Sequence, residues 1–201
     1  MKVIYLALLI ACSLPAIAQD APVPPPVPGI PYYQIPAFPD TTTGPTVLAR
    51  MIDGLGYRYY WATEGLRPED LAYEPGNDGQ DMTRLIDHLY GLSETILNTA
   101  LNQPNVRPLP EQELPWEAKR VQTLLNFKRA SDTFKTLDPA LLGERQLIFQ
   151  RGDREAAFSL WTMLNGPLAD ALYHTGQVVS FRRSAGNPMH PAVNVFLGRT
   201  E

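Results

Sequence analysis

An all-α four-helix bundle is the fold class that this sequence predicts, and three observations predict it. Four long stretches carry apolar residues at helical spacing. Clusters of Pro and Gly separate those stretches. There is no alternation of short strand and helix patterns, no internal repeat and no heptad run. The bundle and an irregular tail account for residues 46–201, an ordinary single-domain size.

Residues 1–18 read as a secretory signal. Lys2 is a short positive region, Val3 to Leu14 is apolar but too short to span a bilayer, and Ala16-Ile17-Ala18 is a small-x-small cleavage site. Export to the periplasm or beyond is the expectation. Leu9-Ile10-Ala11-Cys12 also resembles a lipobox, so the competing reading is a lipoprotein anchored through Cys12. Residues 19–45 form a Pro-rich leader. Pro fixes φ and removes donors, so extended and polyproline backbone is expected there, as a tether. Its Tyr32, Tyr33, Ile35 and Phe38 could pack on the domain.

Helix one starts near Pro45-Thr46. Leu48, Met51, Ile52, Leu55, Tyr59, Ala62 and Leu66 share its apolar face, and Gly65 and Pro68 end it. Tyr57, Tyr60 and Trp61 lie off that face and suit packing between helices. Helix two runs from about Asp81 to Leu101, with Met82, Leu85, Leu89, Leu92 and Ile96 on its apolar side. Helix three begins at Pro115, a good first-turn residue, and runs to about Leu137. Residues 140–152 are ambiguous, with Gln146 to Gln150 readable as extended. Helix four is expected from near Asp153 to Ser184, interrupted at Asn165-Gly166-Pro167.

Composition excludes several functions. The net charge is −4 and basic runs are lacking, which argues against nucleic acid and anionic membranes as partners. No later stretch is apolar enough for a transmembrane helix. Cys12 is the sole cysteine, so the chain after the signal has no thiolate ligand, thiol nucleophile or disulfide. No Gly-x-Ser-x-Gly elbow occurs. A small-molecule ligand and a homodimer remain open.

The segment Asp170-Ala-Leu-Tyr-His174-Thr-Gly-Gln177 carries the chemistry. At about 100° per residue, His174 and Gln177 lie within about 40° of Asp170 around the helix. A polar stripe facing water is the competing reading, but Phe181 lies within its line and Val178 beside it. His88 stands next to the apolar side of helix two. If it meets Asp170 and His174, two imidazoles and one carboxylate form a site for zinc, nickel, iron or manganese, with coordination positions left open. Without a metal, Asp170 could simply bond His174. Gln177 would sit beside the ligands or touch what they bind. His190, flanked by Pro in the tail, reads as a surface residue.

The order and spacing of these pieces resemble the DinB-like superfamily of damage-inducible proteins. The resemblance rests on Leu85-Ile-Asp-His88-Leu-Tyr-Gly and Asp170 to Gln177. It extends to Tyr60-Trp-Ala-Thr-Glu-Gly-Leu-Arg-Pro-Glu-Asp and Ser180-Phe-Arg-Arg-Ser-Ala-Gly-Asn-Pro. It implies a DinB-like four-helix bundle with a divalent metal on three His. One lies on helix two, and a His-x-x-x-His pair precedes a Gly-Gln on the last helix. By position His88 and His174 match two of them, and Asp170 stands where the third would be. The resemblance implies metal-dependent group transfer or isomerisation, and the function expected of this exported chain is that of a metal-dependent hydrolase or transferase. The alternative is a cell-envelope binding module that keeps the bundle without catalysis.

Overall fold

The computed structural model describes residues 22–77, 79–108 and 114–201. The signal, its cleavage site and Cys12 lie outside the described residues. No helix among those described is long and apolar enough to cross a membrane.

Helix α1, Gly44–Thr63, opens on a reciprocal cap. The Thr46 N–H donates to Thr43 Oγ1, and the Thr43 N–H donates to Thr46 Oγ1. A short α2 follows at Pro68–Leu71. Helix α3, Met82–Leu101, begins at Asp81, whose carboxylate accepts the Arg84 N–H at 2.7 Å. It stops at Asn102 in the left-handed region, φ 53°. Helix α4 spans Trp116–Lys135. A 3-10 stretch, Pro139–Glu144, leads away from it. Helix α5, Leu160–Met163, passes through a π-helical turn, Leu164–Leu168, into α6, Ala169–Ser184.

Helix α4 packs against both α1 and α3, and α6 closes the ring from the other side. Leu55, Tyr59, Leu85, Leu89, Phe127, Phe134, Leu168 and Val178 are buried in the centre. Tyr59 meets Phe127 edge-on, with centroids 6.0 Å apart. Tyr57, Tyr60 and Trp61 are buried as well, so the aromatic cluster off the helix-one stripe is core.

The chain is not all-α, which corrects the fold class predicted from the sequence. Strand β1, Pro104–Val106, runs parallel to β2, Gln146–Arg151, and β2 pairs antiparallel with β3, Arg154–Ser159. A small hairpin, β4 at Val193–Asn194 and β5 at Arg199–Thr200, lies in the tail. The last helix, expected from near Asp153, does not begin there, although Glu155, Ala156 and Ala157 favour helix by residue type. Gly152 overrides that preference. At φ 58° it turns the chain tightly between Arg151 and Arg154, and Phe149 and Phe158 then meet across the ladder. The helix therefore starts at Leu160.

The leader is docked along its later part. Tyr32, at φ 75° and 3% exposed, lies over Gly56, where a Cβ would collide with the ring. Its hydroxyl donates to Asp53 at 3.0 Å, and Asp53 is ion-paired with Lys135 at 2.8 Å. Trp61 Nε1–H donates to the Tyr33 carbonyl, and Gln34 bonds Thr200 through both ends of its amide.

Candidate metal centre

Helices α3 and α6 cross so that His88 meets Asp170 and His174. His88 Nε2 lies 2.9 Å from Asp170 Oδ2, and His174 Nε2 lies 3.1 Å from Asp170 Oδ1. The two imidazoles stand edge to face with centroids 4.8 Å apart. One donor atom from each of the three residues falls within 4.8 Å of the others. A tetrahedral ion with bonds of about 2.0–2.1 Å needs donors about 3.3 Å apart. The two imidazole–carboxylate spacings, 2.9 and 3.1 Å, are close to that and the whole set lies within 4.8 Å, so the three residues could hold a metal ion.

The π-helical turn is what aims the pair. It adds backbone ahead of Asp170, including Pro167, and so re-phases α6 relative to α5. Leu164 lines an apolar cleft opposite Val47 and Met51 of α1, whereas Asp170 and His174 face α3. On the other side, Leu85 and Leu89 are buried while His88 stays at the rim. The side chains of His88 and Asp170 are 43% and 40% exposed, and that of His174 is 16% exposed. The centre is therefore open to solvent on one side.

Gln177 completes it. Its Oε1 accepts from His174 Nδ1 at 2.6 Å. With that bond made, the neutral ring turns the lone pair of Nε2 toward the Asp170 carboxylate. A metal ion held between that nitrogen and the carboxylate would satisfy both. An amide oxygen behind a ligating imidazole is also how metal sites fix the ring and raise its basicity.

Comparison with protein-family models, curated proteins and solved structures finds no match to this chain. The chemistry of the site therefore rests on its own geometry.

The other sequence echoes form a structural clasp. The Arg182 guanidinium, 3% exposed, donates to the carbonyls of Trp61, Ala62 and Glu64, capping the C-terminus of α1. Asn187 donates to the Gly65 carbonyl and to Asp70. Burial alone would raise the pKa of Asp70, but the guanidinium and N–H of Arg67 and the Asn187 amide hold it at about 2. His190 lies in the tail, half-buried, with its Nδ1 accepting the Ala192 N–H at 3.2 Å.

One feature had no signal in the sequence. An apolar cleft of about 400 Å³ opens between α1, the 3-10 stretch and α5, lined by Val47, Met51, Leu142, Trp161 and Leu164. Its lining comes from three distant segments, so only the packing assembles it.

Proposed function

We propose that this is an exported DinB-like protein in which His88, Asp170 and His174 bind a divalent transition metal, with hydrolysis or group transfer on a small ligand as its activity. The observation that carries the reading is the convergence of two imidazole nitrogens on the two oxygens of one carboxylate. A bound ion would supply Lewis acidity and acidify water. The protein's part is to present three donors and leave coordination positions open toward solvent. Gln177 orients His174, and Asp170 bridges the two helices. The oxygen and nitrogen donors suit zinc, nickel, iron or manganese.

Elemental analysis of protein purified without a nickel column tests this. About one equivalent of metal is expected, falling below about a tenth in His88→Ala and Asp170→Ala. Less than about a tenth in the wild type, with no recovery on micromolar metal, would overturn it.

The apolar cleft favours a second reading, a binding module without catalysis. In that case His88→Ala and Asp170→Ala leave thermal stability in added zinc unchanged. A metal-dependent stabilisation that only the wild type shows would argue against it.

A further inference from the structure

Strand β3 presents an unpaired edge whose hydrogen-bonding groups can be assigned from its neighbour. On β2, the Gln146 N–H donates to Asn102 Oδ1, the Ile148 carbonyl accepts from Asn105 Nδ2, and the Gln150 carbonyl accepts from the Arg107 N–H. Those three residues face away from β3. Their cross-strand partners are Ser159, Ala157 and Glu155. In an antiparallel ladder such pairs turn their backbone groups outward on both strands. The outward groups of Glu155 and Ala157 have no backbone partner among the described residues, whereas the Ser159 carbonyl opens α5.

The strand is six residues long and exposed throughout. It has no Pro, Lys or bulge to discourage pairing. Such an edge is a template for another strand.

We propose that a second copy of this chain pairs with β3 antiparallel, with Ala157 on the two-fold axis, to give one sheet in the order β1-β2-β3-β3-β2-β1. A two-fold perpendicular to the sheet makes one residue face its own copy. An axis at Arg154 or Glu155 would set like charges face to face. An axis at Ala156 would place the two Glu155 carboxylates on a diagonal. An axis at Ala157 avoids both. It pairs the N–H and C=O of Ala157 with their counterparts across the axis, and it sets Glu155 opposite Ser159. The Ser159 side chain makes no cap bond to α5, so its hydroxyl is available to donate to Glu155. Phe158, half-exposed in the single chain, then packs against Ala156 of the second copy.

Light scattering on the chain at roughly 100 µM, above the dissociation constant of a weak dimer, tests the pairing. The expected mass is that of two chains. Ala157→Pro halves it with the far-UV CD and Tm unchanged, because the Ala157 N–H serves no bond to β2. Ala157→Lys, which sets two ammonium groups on the axis, halves it as well. A wild-type mass of one chain, or a two-chain mass kept by both variants, would overturn the proposal.

Discussion

Gln177 is the residue whose role is most easily isolated. It touches His174 and neither of the other two donors, so its loss frees the ring without removing a ligand. Gln177→Ala is expected to weaken metal binding roughly 10–100-fold, as outer partners of ligating imidazoles do. Competition against a chromophoric chelator reads this directly, and an unchanged affinity would show that the ring needs no such support. Asp70 makes a separate prediction about acid stability. Its folded pKa of about 2 lies below the usual carboxylate value of about 3.9. A depressed carboxylate contributes stability that is complete above the unfolded value and lost as pH falls toward the folded one. The wild type should therefore lose stability between about pH 4 and pH 2. Asp70→Asn should start lower at neutral pH and show a flatter acid limb in a Tm-against-pH series.

At the scale of elements, the leader and α1 behave as one unit. The Tyr32 ring fills the space over Gly56 and its hydroxyl reaches a buried carboxylate. Tyr32→Ala removes both, and a loss of about 3 kcal/mol in urea unfolding is expected. A loss near zero would mean the leader is only laid on the surface. The sheet teaches the opposite lesson about local propensity. Arg154-Glu-Ala-Ala-Phe158 reads as helix by residue type, yet Gly152 and the partner strand make it β. Helices α1, α3 and α4 were legible because their apolar spacing extends over many turns. Gln146 to Gln150 was readable as extended and lies in β2, but β1 and β3 were not legible, since three to six residues carry too little periodicity to outvote their neighbours.

For the whole molecule, the metal reading implies coupling between the site and global stability. Its donors lie on two helices that otherwise touch lightly, so an ion ties α6 to α3. At about 100 times its dissociation constant, a ligand specific to the folded state adds about 2.7 kcal/mol. In a chain of this size that raises Tm by roughly 5–10 °C. Differential scanning calorimetry with and without zinc checks it, with His88→Ala as the unresponsive control.

The features legible in the residues alone are local. Helical spacing placed three of the long helices, and residue type named the imidazoles, the carboxylate and the amide as the groups with chemistry to offer. It also put Asp170, His174 and Gln177 on one stripe, because that follows from the pitch of a single helix. The tertiary structure alone decided that His88, 82 positions away from Asp170, reaches the same carboxylate. It alone decided that residues 154–159 are strand, and that an apolar cleft opens beside α5. The reason is physical. Contacts across such separations are selected by how apolar faces and backbone partners are satisfied together, and no local window of sequence contains both halves of the choice.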